Sequence, residues 1–152
     1  MQIELGRWRL RDLAAGFLLY FPTGLLGFPH HKTYRIEVQH PDMPFRWLQA
    51  TEDPPVAFAI TDPFAFVPDY RVSIQAQDVR DLQVTAAAEL LLFVIVTLPR
   101  QTSHQLTVNL QGPVLVNRVN GWAKQLVLVQ GPYHTCHPLC VISQAPSLAS
   151  SP

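Results

Sequence analysis

The sequence predicts an all-β protein: a compact, barrel-like or sandwich-like antiparallel fold with at most one or two short helices. Three observations carry that expectation. Short apolar runs, about ten of them, are separated by turn residues roughly every eight to twelve positions. β-Branched and aromatic side chains dominate those runs. Only residues 77–82 read as a helical turn or so, with Val79 and Leu82 as the apolar positions. The pattern fits a barrel and a sandwich equally.

Residues 2–5 alternate polar and apolar, and residues 7–11 alternate again with Trp8 and Leu10 on one side. Gly6 between them marks a turn, so a hairpin is expected. Residues 17–21 form a short apolar strand, ended by Pro22-Thr23-Gly24. In residues 32–39, Tyr34, Ile36 and Val38 alternate with polar neighbours, as in a half-buried strand.

Residues 45–70 organise the rest. Residues 46–50 and 56–60 are strands, and Thr51-Glu52-Asp53-Pro54-Pro55 between them cannot continue a ladder. Asp62-Pro63 and Pro68-Asp69 then bracket Phe64-Ala65-Phe66. Two prolines fix φ and remove two backbone donors, which favours a shaped loop over a strand.

Residues 71–74 read as another short strand, with Val72 and Ile74 on one face. Residues 90–96 are continuously apolar. The β-branched Val94, Ile95 and Val96 favour a central strand buried on both faces over a helix. Leu106, Val108 and Leu110 share a face of the next strand, and Gly112-Pro113 turns the chain. A strand over 114–119 follows, Asn120-Gly121 signals a two-residue hairpin, and 125–129 is the last strand. Residues 1–142 read as one domain, and the Ser/Ala/Pro-rich residues 143–152 as a disordered tail.

Only 14% of the 152 residues are charged and the formal net charge is +0, a surface suited to being covered in part by a partner. The balance hides an asymmetry: Glu37, Asp42, Glu52, Asp53, Asp62 and Asp69 face the single base Arg46 in the middle of the chain. That acidity suits a basic protein, and no Lys/Arg cluster marks direct nucleic-acid binding. The longest apolar run, residues 90–96, is far short of the ~20 residues that span a bilayer. Arg7, Arg9 and Arg11 precede an apolar stretch, but no small-residue cleavage site follows it, so a cytoplasmic protein without a signal peptide is expected.

His134, Cys136, His137 and Cys140 put four possible metal ligands in one short segment. Structural zinc sites draw ligand pairs from two separated segments, so no metal is expected here. Two cysteines make no disulfide framework. No serine sits in a nucleophile elbow, and the adjacent Glu52 and Asp53 lack the burial that tunes a catalytic carboxylate. An enzyme is not expected, and no cofactor is called for.

The chain resembles the bacterial FliW family. Phe21-Pro22-Thr23-Gly24-Leu25-Leu26-Gly27-Phe28, Trp47-Leu48-Gln49, Asp53-Pro54, Ala57-Phe58, Thr61-Asp62-Pro63 and Pro68-Asp69-Tyr70 carry the resemblance. So do Val96-Thr97-Leu98-Pro99, the run from Val108 to Pro113, Val116-Asn117 and Gln125, all in the family's order. The resemblance implies a flagellar assembly regulator that binds flagellin and, when free, the translational regulator CsrA. Trp47, Gln49, Glu52, Asp53, Asp62, Pro63, Phe64, Asp69 and Tyr70 are the expected partner contacts. Alternation places Trp47 and Phe58 on strand faces, where many such aromatics are core, while Phe64, Phe66 and Tyr70 have the best prospect of exposure. A β-barrel holding a small ligand in its interior is the other reading.

Overall fold

The computed structural model describes residues 5–98, 105–129 and 131–139. The expected arm at residues 2–4, Cys140 and the tail at 143–152 lie outside the described residues. Nine strands form one connected network: β1 (Leu18–Tyr20), β2 (Thr33–Glu37), β3 (Phe45–Ala50), β4 (Ala57–Thr61), β5 (Leu90–Thr97), β6 (Thr107–Val108), β7 (Val114–Asn117), β8 (Ala123–Gln125) and β9 (His137–Pro138). One α-helix, α1 (Ala76–Asp81), and three 3-10 turns complete the described elements.

Every ladder among the described strands is antiparallel: β1 to β2, β2 to β3, β3 to β4, β4 to β5, then β5 to both β6 and β7, β6 to β9, and β7 to β8. β1 and β8, the two ends of one path through the network, meet beside a parallel bridge between Tyr20 and Trp122. The path β1-β2-β3-β4-β5-β7-β8 thereby closes into a ring. An odd number of antiparallel strands cannot close without one parallel junction, and this is that junction. The fold is a small barrel rather than an open sandwich.

Period-two alternation then fixes what fills it. Leu19, Tyr34, Ile36, Leu48, Ile60, Leu91, Phe93, Val114, Val116 and Ala123 form one buried cluster, the barrel interior. A second cluster lies outside the barrel wall. Leu90, Leu92, Val94 and Val96, the other face of β5, meet Tyr70, Ile74, Leu82, Val108, Leu110 and Leu126 there. β5 is the wall between two cores, which is why its sequence is apolar at consecutive positions instead of alternate ones.

β6 and β7 follow one another along β5. Val108 opposes Val96 and Val114 opposes Phe93, so the chain between them carries residues that β5 does not match. Those residues fold outward around Asn109, whose Oδ1 accepts the N–H groups of Gln111 at 3.1 Å and Gly112 at 2.8 Å.

Four expectations are corrected. The segment before β1 is no hairpin strand at its second half: residues 10–12 form a 3-10 turn closed by the Arg9 N–H on Asp12 Oδ2 at 2.8 Å. Residues 71–74 join no ladder, and the strand expected over 125–129 is paired regularly only as far as Gln125. The β7–β8 loop spans residues 118–121 and is not a two-residue Asn-Gly turn. Asn117 reaches across it, donating its N–H to the Trp122 carbonyl at 2.8 Å and accepting from the Gly121 N–H at 2.8 Å. His31 is buried, with Nε2 2.8 Å from the Pro54 carbonyl.

Candidate partner-binding surface

The nominated residues are strung along the β3–β4 hairpin and the turn after it. They do not converge on one point. At ~3.3 Å per residue, the length of β4 separates the two ends by roughly 16 Å.

At the hairpin tip, Glu52 is a structural anchor. One carboxylate oxygen accepts the N–H groups of Lys32 at 2.6 Å and Thr33 at 3.1 Å, tying the start of β2 to the turn. Those backbone donors hold its pKa below the ordinary glutamate value. Asp53 beside it is exposed, with no hydrogen bond or ion pair among the described residues. Adjacent acids thus play different parts, which sequence alone does not reveal.

Along β3, Trp47 and Gln49 lie on the face turned away from the barrel interior. Trp47 sits in register between Glu37 and Ala59 and packs, half-buried, on the outer core. Gln49 Nε2 reaches the Val56 carbonyl at 3.3 Å, spanning the hairpin. Glu37 is occupied by a short ion pair with Arg35.

At the far end, Asp62 caps the 3-10 turn Pro63–Ala65 by accepting the Phe64 N–H at 2.9 Å. Burial pushes its pKa up, against the pull of that N–H and of Arg9, whose Nε is 3.9 Å away. The Arg9 guanidinium also lies 4.8 Å from the centre of the Phe64 ring. Phe66 stacks on Phe45 at 6.4 Å.

Pro63 and Tyr70 do not offer themselves to a partner. Pro63 is buried, and Tyr70 is 1% exposed, with its hydroxyl donating to the Leu110 carbonyl at 2.6 Å and its ring edge-on to Tyr133 at 4.6 Å. A tyrosine bracketed by turn residues reads as surface, but the chain after it folds down over the outer core and takes it inside. Asp69, its neighbour, is exposed and unpaired among the described residues. Asp42, in the β2–β3 connection, is exposed at this same end of the hairpin.

Sequence reasoning missed Arg9, which holds Asp62 and Phe64 in place. The basic run Arg7-Arg9-Arg11 was its only signal. Gln125 has a role that sequence does not state: Oε1 accepts the Leu26 N–H at 3.0 Å and Nε2 donates to the Gly112 carbonyl at 2.9 Å, joining two distant turns.

His134 and Cys136 are exposed and His137 pairs with Val108 in the β6–β9 ladder. Among the described residues no three His, Cys, Asp or Glu side chains converge as metal ligands would, and no helix is long and apolar enough to cross a membrane.

The geometry defines a class: a small closed β-barrel with an outer core and a hairpin surface of acids beside aromatics. The profile described as FliW protein matches residues 6–139. The flagellar assembly factor FliW of Moorella thermoacetica is 34% identical over 139 residues, covering 91% of this chain and 88% of the relative. That of Alkaliphilus metalliredigens is 39% identical over 122 residues, covering 79% and 74%. A crystal structure of the flagellar assembly factor FliW superposes with a TM-score of 0.72 at 29% identity, over 85% of this chain and 89% of that one. This chain belongs to the FliW family of flagellar assembly factors.

Proposed function

We propose that this chain is a non-enzymatic regulator of flagellar assembly that works in the cytoplasm, binding flagellin and, when free of it, binding and antagonising the translational regulator CsrA. Family membership across residues 6–139 carries the reading. In this scheme accumulated flagellin occupies the protein and frees CsrA to repress flagellin translation. Secretion drains flagellin, and the released protein captures CsrA.

The surface supports this at the Asp69 end of the hairpin. Asp42 and Asp69 are exposed there and unpaired among the described residues, at the end of the hairpin that carries the half-buried Phe64 and Phe66. A carboxylate near a phosphate chain repels it over about a Debye length, ~8 Å at physiological ionic strength. Acids held there against CsrA would disfavour bound RNA without occupying its site. The other reading, a ligand inside the barrel, finds no support in an interior filled by Tyr34, Phe93 and their neighbours.

The test is a titration of the purified protein with flagellin, with CsrA and with a CsrA–RNA complex. Saturable binding of both proteins, with RNA released and then restored by added flagellin, is the expected result. Failure to bind either protein would overturn it.

A further inference from the structure

Two segments that the sequence marks as strands stand outside the regular ladder, and they line the same groove. Residues 126–129 are paired on one edge only. The Leu126 N–H donates to the Pro113 carbonyl at 2.8 Å and the Leu128 N–H to the Gln111 carbonyl at 2.9 Å. In an extended chain paired in this way, alternate residues turn their N–H and C=O groups to opposite edges. Those of Val127 and Val129 therefore turn away from Gln111 and Pro113, and they have no partner among the described residues.

Residues 71–75 form the opposite wall. The backbone N–H groups of Val72 and Ser73 likewise find no partner among the described residues. The walls are tethered at each end. The Arg71 N–H donates to the Tyr133 hydroxyl at 2.9 Å, and Lys124 Nζ bridges to Asp78 at 2.9 Å. Between the tethers lies an open groove of about 570 Å³. Val127 is 55% exposed and Val129 83% exposed along it.

We propose that this groove accepts an extended segment of a partner polypeptide, which adds as a strand to the free edge of residues 126–129. Unpaired edge donors and acceptors are a template for strand addition, and they supply affinity through backbone hydrogen bonds whatever the sequence. The groove's charge sets one end of the occupant. At one end Asp78 and Lys124 both line the groove and neutralise one another in an ion pair at 2.9 Å. At the other end, the one side-chain hydrogen bond of Arg71 among the described residues is to the Tyr70 carbonyl at 3.4 Å. A segment with an acidic residue at the Arg71 end and apolar residues that meet Val127 and Val129 fits this lining. The site lies off the β3–β4 hairpin and stands independently of the partners proposed above.

The probe is a short synthetic peptide of alternating valine and threonine, with glutamate at one end. Titrated into the isotopically labelled full chain, it should shift the Val127 and Val129 amide resonances. Every second amide of the peptide is then N-methylated, in each of the two registers separately. One of the two methylated peptides should bind at least about tenfold more weakly, the loss of two backbone hydrogen bonds. Val127→Pro removes only an outward-facing donor and should do the same while the thermal midpoint stays near that of the parent. If that variant fails to fold, the methylated peptides decide the matter alone. Equal binding by both methylated peptides, no shift at Val127 and Val129, or shifts confined elsewhere would each overturn the proposal. So would concentration-dependent self-association through this edge in sedimentation, which would assign it to a second copy.

Discussion

Tyr20 and Trp122 form the parallel bridge that closes the barrel. The Tyr20 N–H donates to the Gly121 carbonyl at 2.8 Å, and the two rings meet edge to face at 5.3 Å. This joins a strand near the start of the chain to a loop near its end. It also places Gly121 directly under the Leu18 carbonyl.

Gly121 is therefore expected to be intolerant of any side chain. Its φ is +80°, and a Cβ would lie 2.4 Å from Leu18 O. Gly16 is the internal control: its φ is +88°, but a Cβ there would meet nothing within 4 Å. Gly16→Ala should cost about 1 kcal/mol from backbone strain alone. Gly121→Ala should cost about 2 kcal/mol or more beyond that, because Leu18 must move and the closing bond lengthens. Urea denaturation of both variants measures the difference; equal costs would show that the closure is not tight.

Leu92→Asp and Val94→Asp should each prevent folding. Leu92 is 1% exposed and Val94 is fully buried, both in the outer core on a strand whose opposite face fills the barrel. An unpaired carboxylate in such a site costs several kcal/mol, a large share of a small domain's stability. Far-UV circular dichroism like that of the parent, for both variants, would show that β5 does not divide two cores.

Glu52 should make the fold sensitive to acid. Its folded pKa lies below the ordinary value of 4.5 because the Thr33 and Lys32 N–H groups bind the charged form. The sign follows from linkage. The stabilisation is complete above the unfolded value and is lost as pH falls through the lowered folded one. Glu52→Gln should be less stable than the parent at neutral pH, with the gap closing in acid. Denaturation midpoints of the two proteins across that range decide it; a gap that widens in acid would contradict the anchor.

Charge reversal should separate the two ends of the hairpin. Asp69→Lys should weaken CsrA binding roughly fivefold and slow release of RNA from the CsrA–RNA complex. Asp53→Lys, at the tip, should do less. Both should leave the thermal midpoint nearly unchanged, since exposed charges contribute ~1 kcal/mol or less. Efficient RNA release by Asp69→Lys would show that the acidic end is not the working surface.

Much of this was written in the sequence. Alternation at Tyr34 and Ile36, and at Leu48 and Ala50, marks inward faces because a strand has two sides and only one meets the interior. The unbroken run at residues 90–96 marks a strand with no wet side, and β5 has none over most of its length. Asp62-Pro63 marks a capped turn, since its chemistry is local: a carboxylate within reach of the N–H two residues on.

Other features depend on partners far along the chain, and local pattern is blind to them. Barrel and sandwich differ only in whether Tyr20 meets Trp122. Tyr70 is buried because Leu110 and Tyr133 reach it. Glu52 and Asp53 look alike in sequence, but only Glu52 lies under the N–H groups of β2. Residues 71–74 and 126–129 have the composition of strands, yet composition does not supply a neighbour, and the folded chain leaves one edge of each facing a groove. Strand propensity is a property of a segment, whereas pairing is a property of what the rest of the chain brings beside it.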